Sequence, residues 1–218
     1  MTQYKNIKIR DNNEPLILVE EYGFLFEPFY FKQGISPMNE VRLRKGVLEK
    51  LRKAEQKLPV GWKFKIYDGY RLLETQKRLF DGLYNYYRNH NPNWDKQTLH
   101  DKTEVFVAVA RYDKTHPSPH NTGGAVDLTI VDENGKEISM GTVLDEFSER
   151  GLAFTDYFAD KNDEIHENRM LLKNILRAEG FQNYKYEWWH YSFGDQMWAF
   201  QSGADYAIYG SVELNEKS

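Results

Sequence analysis

The run Tyr186-Glu187-Trp188-Trp189-His190-Tyr191 places a carboxylate three residues before a histidine, among aromatic side chains. An earlier segment contributes His120 and Asp127. Two imidazoles and one carboxylate form a typical ligand set for hydrolytic zinc, which keeps three protein ligands and leaves the fourth position for water. Since Glu187 is not needed as a ligand, it is available to move protons. The residue types therefore predict metal-assisted hydrolysis.

A strand over residues 124–131 is expected to present Asp127. Successive side chains of a strand point to opposite faces, so Val126, Leu128 and Ile130 share one face and Asp127 lies on the other. The preceding Gly123-Gly124 pair lets the backbone bend. His120 and Asp127 can then converge on one point, although the carboxylate of Asp127 could instead cap a neighbouring turn.

Residues 181–193 are rich in aromatic side chains and are predicted to form a strand. A regular strand would place Glu187 and His190 on opposite faces. Their convergence therefore requires a bend or bulge at Trp188-Trp189, or a turn beginning there. Among these aromatic side chains the pKa of Glu187 should be raised, as suits a general base near neutral pH. The alternative is an ordinary salt-bridge carboxylate.

Arg71 follows an alternating strand predicted at residues 63–67. Its guanidinium is always charged and offers a planar set of donors, suited to a developing oxyanion or a substrate carboxylate. An ion pair with Asp68 or Glu74 is the structural alternative.

The elements that position these residues include both helices and strands. Helical periodicity covers residues 39–57, 72–88 and 164–179, and Gly180 ends the last helix. Residues 105–109 form a short apolar segment, Asn91-Pro92-Asn93 breaks the chain, and Asn134-Gly135 indicates a turn. Helices and strands do not alternate regularly, so we expect an α+β fold.

The 218-residue chain has no internal repeat or linker, and a single domain over residues 1–218 is expected. Its net charge of −4 gives no reason to expect nucleic acid or an anionic membrane as a partner. The chain has no cysteine, which excludes disulfides and thiolate metal sites. No signal peptide or membrane span is visible in the sequence, so a cytoplasmic location is expected.

Assembled in order, these segments resemble the zinc D-alanyl-D-alanine dipeptidases of the VanX type. The resemblance rests on five segments: Asp68-Gly69-Tyr70-Arg71, residues 118–129 with Ser118, His120 and Asp127, Met140-Gly141-Thr142 with Asp145, Asn168-Arg169 with Gly180-Phe181, and residues 187–191. It implies the fold of the D,D-carboxypeptidases and the hedgehog signalling domain, with a central antiparallel sheet flanked by helices.

The resemblance also implies a role for each site residue. His120, Asp127 and His190 would bind one zinc ion per chain, Glu187 would be the catalytic base and acid, and Arg71 would stabilise the transition state. Ser118 and Asp145 would hold the two ends of a small dipeptide, with Asp145 facing the free ammonium group. Tyr22 would correspond to a substrate-contacting tyrosine.

Three other functions use the same residue types. An iron oxygenase also binds its metal through two histidines and one carboxylate, but its first histidine and carboxylate usually lie closer in sequence. A non-catalytic zinc module would need neither Glu187 nor Arg71. A cell-wall D,D-carboxypeptidase or L,D-endopeptidase of the same fold would have to admit a longer substrate and usually acts outside the cytoplasm. The oligomeric state is open.

Overall fold

The computed structural model describes residues 3–146 and 151–214. Their strands are β1 (Lys8–Ile9), β2 (Leu16–Leu18), β3 (Leu25–Phe26), β4 (Arg42–Arg44), β5 (Lys63–Asp68), β6 (Ala125–Val131), β7 (Gln182–Asn183), β8 (His190–Ser192) and β9 (Tyr206–Ala207). Their α-helices are α1 (Phe29–Lys32), α2 (Lys45–Glu55), α3 (Leu73–His90), α4 (Lys96–Phe106), α5 (Asp163–Ala178) and α6 (Gln196–Ser202).

A five-stranded sheet organises these elements in the order β3-β5-β6-β8-β7. The last four strands pair antiparallel, whereas β3 runs parallel to β5. The predicted α+β fold with a central sheet and flanking helices is confirmed, but the sheet is mixed rather than wholly antiparallel. The chain between β3 and β5 includes α1, β4 and α2, a crossover long enough for parallel pairing.

The main core lies between this sheet and the pair of helices α2 and α5. Helix α2 buries Val47, Leu48 and Leu51, whose spacing places them on one helical face. Helix α5 contributes Leu172 and Leu176. Strand β6 is buried along its whole length, as expected for a strand with a neighbour on each side. Its position makes β6 the rigid support for Asp127.

Helices α3 and α4 pack against each other and form one wall of the cleft described below. The predicted helix over 72–88 corresponds to α3, which ends where Asn91-Pro92-Asn93 was expected to break the chain. The apolar segment at 105–109 begins within α4, whose last turn includes Val105 and Phe106.

Two other boundaries refine the predictions. The helical periodicity over 39–57 begins too early, since strand β4 precedes α2 and pairs with β2. Helix α5 ends at the predicted position, with Gly180 at a positive φ of 91°.

Across residues 3–146 and 151–214, no helix combines the length and apolar character needed to cross a bilayer.

Candidate active site

Three neighbouring strands carry three polar side chains across the middle of the sheet. Asp127 on β6 lies opposite Asp68 on β5 and opposite His190 on β8. Ile66 pairs with Leu128, so regular pairing would place Tyr67 opposite Asp127; a bulge between Ile66 and Asp68 places Asp68 there instead. The bulge therefore brings a second carboxylate next to Asp127.

His120 reaches the same place from a short 3-10 helix, Pro119–Thr122. The helix ends at Gly123, whose φ of 70° favours glycine and whose hydrogen leaves room for Leu16. The Nδ1 atom of His120 lies 2.7 Å from the carbonyl oxygen of Gly69. Since a neutral imidazole that donates from Nδ1 has its lone pair on Nε2, this contact directs Nε2 toward Asp127. The bend predicted at the glycine pair is confirmed.

The predicted ligand atoms converge. His120 Nε2 lies 3.1 Å from His190 Nδ1, and His190 Nδ1 lies 3.0 Å from Asp127 Oδ1. His120 Nε2 is 3.4 Å from Asp127 Oδ2. One ligand atom from each of the three buried residues lies within 4.8 Å of the others. Two imidazole nitrogens and one carboxylate so disposed fit a divalent metal ion of the zinc type.

The ring of His190 has a further partner on its other side. Its Nε2 lies 3.5 Å from the hydroxyl oxygen of Ser192, which in turn hydrogen-bonds the buried carboxyl group of Asp195. Outer partners of this kind fix the orientation of a metal-binding imidazole. Asp195 also caps α6 by accepting from the backbone N–H of Trp198, so the support for His190 is tied to a helix.

Metal affinity should fall on acidification from neutral pH. Burial alone would lower the pKa of His120, but the nearby carboxylates of Asp127 and Asp68 together outweigh burial and hold that pKa above its usual value. Below that pKa a proton occupies the imidazole and competes with the metal, so the apparent Kd should rise about tenfold per pH unit for each competing proton. Competition titrations with a chelator between pH 5.5 and 8.5 measure this slope. A Kd that stays constant down to pH 5.5 would contradict the assignment of His120 as a ligand.

Glu187 lies on a turn rather than on a strand. The turn joins β7 to β8 and includes hydrogen bonds from the N–H of Glu187 to Tyr184 O and from the N–H of His190 to Glu187 O. The prediction of one continuous strand over 181–193 is wrong, and the alternative of a turn near Trp188-Trp189 is confirmed. The turn brings Glu187 Oε2 to 3.9 Å from His190 Nδ1.

The environment of Glu187 suits proton transfer. Burial raises the pKa of its carboxyl group well above the usual range, and the nearby Asp127 and Asp145 raise it further. The Oε1 atom is buried and accepts no hydrogen bond from the residues that the structure describes. Buried polar atoms normally have partners, so this oxygen is suited to a ligand that enters the cleft.

Arg71 borders the three candidate ligands. Its Nη2 lies 3.7 Å from Asp127 Oδ2 and donates to Asp68 Oδ2 at 2.6 Å. Its Nη1 donates to Gln76 Oε1 at 2.9 Å, and the guanidinium lies over the ring of Tyr30. The ion pair with Asp68, expected as the alternative role, coexists with a position in the cleft. These contacts hold the guanidinium in one orientation.

Asp145 and Ser118 line the same cleft. Asp145 has a φ of 59° and accepts a hydrogen bond from the hydroxyl of Tyr30. Burial of its carboxyl group and the nearby Asp127 raise its pKa to about 7. The hydroxyl of Ser118 is buried without a hydrogen-bond partner in the described part of the chain.

One cleft, with a volume of about 790 Å³, brings together all the predicted site residues. They are Arg71, Ser118, His120, Asp127, Asp145, Glu187 and His190. Sequence reasoning missed Tyr30 as the bridge between Arg71 and Asp145. Tyr22, expected to contact substrate, packs against the core and is not among the described residues that line the cleft. No local pattern distinguishes Tyr30 from the other aromatic residues near it.

The sequence of this chain is similar to those of known dipeptidases. A model of the D-Ala-D-Ala dipeptidases, peptidase family M15, matches residues 25–207. A D-alanyl-D-alanine dipeptidase of Synechocystis sp. is 30% identical over 244 aligned residues, covering 96% of each chain. One of Enterococcus faecalis is 27% identical over 161 residues, covering 73% of this chain and 76% of the relative.

Among solved structures, this chain is similar to VanYB in complex with D-Alanine-D-Alanine. The match covers 76% of this chain and 80% of the VanYB chain, with a TM-score of 0.46 and 17% sequence identity. The match to the family model spans most of the sequence, including every residue of the candidate site. The chain therefore belongs to the M15 family of D-Ala-D-Ala dipeptidases.

Proposed function

We propose that this chain hydrolyses free D-Ala-D-Ala with one zinc ion held by His120, Asp127 and His190. The observation that carries the proposal is the convergence of these three groups with Glu187, Arg71 and Asp145 in one cleft. A zinc ion in such a site acts as a Lewis acid toward the scissile carbonyl and makes water a better nucleophile.

Glu187 accepts the proton of the attacking water and returns it to the leaving amine. A general base works best when its pKa lies near the working pH, and burial has moved the pKa of this carboxyl group upward. The dication would lower that pKa again and favour the carboxylate, the form that accepts a proton. Among the described residues the Oε1 atom has no hydrogen-bond partner, so one oxygen of Glu187 is available for this exchange.

Arg71 stabilises the negative charge that develops on the carbonyl oxygen. Its guanidinium is buried, close to Asp127, and fixed by Asp68 and Gln76. Donors held in place before the reaction stabilise a transition state without reorganising, which makes them effective. A non-catalytic zinc module would have no use for this arrangement.

Asp145 and Ser118 hold the two ends of the dipeptide. A carboxylate that lines the cleft is a suitable partner for the free ammonium group. The hydroxyl of Ser118, which has no hydrogen-bond partner among the residues described, can donate to a carboxylate. Recognition of the ammonium group would distinguish a dipeptidase from a carboxypeptidase or an endopeptidase, whose substrates continue as a peptide at that position.

The proposal predicts a strict substrate pattern for the zinc-loaded protein. D-Ala-D-Ala, L-Ala-L-Ala and N-acetyl-D-Ala-D-Ala are incubated separately, and free alanine is measured. We expect release from the free D,D-dipeptide and a rate at least about 100-fold lower for the acetylated compound, because acetylation removes the charge that Asp145 would bind.

The acetylated compound tests the closest alternative. Efficient cleavage of it would replace the dipeptidase proposal by a carboxypeptidase or endopeptidase acting on cell-wall peptides. Cleavage of none of the three compounds by protein with full metal content would overturn the proposal.

A further inference from the structure

Arg169 is a charged residue in the middle of α5 with a side chain that is 0% exposed. Its described hydrogen bonds all go to main-chain carbonyl oxygens: Nε to Met140 at 2.8 Å, Nη1 to Phe154 at 2.7 Å and Nη2 to Leu152 at 2.9 Å. Burying a charge costs free energy, and an apolar side chain of similar volume often stabilises a core at least as much as a buried charged one. Stability alone therefore does not account for an arginine at this position, and the location of the three carbonyls indicates a second role.

The three carbonyls lie on both sides of Asp145 in the sequence. Met140 precedes Asp145, whereas Leu152 and Phe154 follow it. A guanidinium offers donors in a rigid planar fork, so one side chain can hold several carbonyls at fixed relative positions. Arg169 thus holds Met140, the first residue of the segment 140–146 that carries Asp145, against Leu152 and Phe154.

The same segment is attached to the turn that carries Glu187. The indole N–H of Trp188 donates to the hydroxyl of Thr142 at 2.8 Å, and the backbone N–H of Trp188 donates to Ala153 O at 3.0 Å. The guanidinium of Arg169 also lies 5.9 Å from the centre of a Trp188 ring. Arg169, the Asp145 segment and the Glu187 turn are therefore in direct contact.

We propose that Arg169 is a positioning residue that fixes Asp145 relative to Glu187 and so determines how well the site binds the free ammonium end of a dipeptide. This inference rests on the ammonium-binding role of Asp145 in the proposed function. Arg169 is not among the described residues that line the cleft, and its described hydrogen bonds reach none of the three candidate ligands; it acts through the backbone at Met140, which leads to Asp145, and at Leu152 and Phe154.

The test is Arg169→Lys, which keeps the charge but replaces the fork by one ammonium group. We expect the KM for D-Ala-D-Ala to rise about tenfold or more, because small displacements of a binding group reduce affinity strongly. The kcat should change by less than about threefold, because the turn of Glu187 is also held by its N–H bond to Tyr184 O and by Asn183 donating to Glu187 O. Metal content should not change, because the described hydrogen bonds of Arg169 reach none of the three ligands. Asp145→Asn should raise KM in the same direction.

Arg44→Lys is the matched control. Arg44 is also buried and also donates to main-chain carbonyls, those of Glu14, Thr122 and Gly210, but it has no contact with the Asp145 segment among its described hydrogen bonds. Because Thr122 lies on the helix that carries His120, replacement of Arg44 should lower the melting temperature and can weaken metal binding, but it should not raise the KM of the metal-loaded protein. A purely structural role for Arg169 would give this same result, so the KM distinguishes the two roles.

Thr142→Val provides a second variant at a partly exposed position, in case Arg169→Lys does not fold. It removes the hydrogen bond from Trp188 and should raise KM several-fold at unchanged metal content. If Asp145→Asn raises KM, a wild-type KM in folded Arg169→Lys overturns the inference. If Arg169→Lys does not fold, a wild-type KM in Thr142→Val overturns it. An active wild type whose KM is insensitive to Asp145→Asn removes the role of Asp145, and an inactive wild type removes the proposed function itself.

Discussion

Glu187→Gln should lower kcat by about 10²–10⁴-fold while metal content stays at the wild-type level. Glutamine has nearly the same shape as glutamate but cannot accept the proton of the attacking water. The carboxyl group of Glu187 lies 3.9 Å from His190 Nδ1, beyond the three convergent ligands, so the metal should remain bound without it. Steady-state hydrolysis of D-Ala-D-Ala and metal analysis of the same preparation measure both effects.

Glu167→Gln is the control for this variant, because Glu167 is an exposed residue of α5. It should retain wild-type kcat and metal content. Normal turnover by Glu187→Gln would refute the general-base assignment. Loss of metal from that variant would instead make Glu187 a ligand and leave the identity of the base open.

His190→Ala should lose both bound metal and activity. His190 Nδ1 lies close to both other candidate ligands, 3.1 Å from His120 Nε2 and 3.0 Å from Asp127 Oδ1, and its removal leaves only two. Loss of outer partners alone typically reduces metal affinity by about 10–100-fold, so loss of a ligand should exceed the upper end of that range. Chelator competition followed by metal analysis measures the change.

His166→Ala is the matched histidine variant, since His166 is a partly buried residue of α5 outside the cleft. It should bind metal as the wild type does. Zinc retained at full stoichiometry by His190→Ala after dialysis would remove His190 from the ligand set. Activity restored by excess zinc would agree with weakened binding, and a kcat unchanged at low zinc would contradict it.

The Glu187 and His190 predictions also separate the proposed hydrolase from an iron oxygenase. Both kinds of enzyme use two histidines and one carboxylate, so metal loss from His190→Ala fits either. An oxygenase has no need for a buried carboxylate such as Glu187 beside the metal ligands. The combination of retained metal and lost hydrolysis in Glu187→Gln therefore specifies a hydrolytic site.

The amino-acid sequence by itself determined the chemical inventory and the element types near it. The ligand types at positions 120, 127 and 190 can be predicted because histidine and aspartate are residue types that bind metal ions. Strand β6 and helices α3 and α5 can be predicted because hydrophobic periodicity and glycine signals are local sequence patterns. A raised pKa for Glu187 was also predictable, since its aromatic neighbours are adjacent in sequence.

Only the tertiary structure decided how these groups meet. The bulge at Asp68, the parallel pairing of β3 and the bridge by Tyr30 depend on contacts between distant segments, which local periodicity does not encode. Residues around Glu187 form a turn rather than a strand because the N–H groups of Glu187 and His190 donate to carbonyls within the turn. The N–H of Trp188 donates to the carbonyl of Ala153. Backbone groups must find partners somewhere, and which partners are in reach is a property of the folded chain.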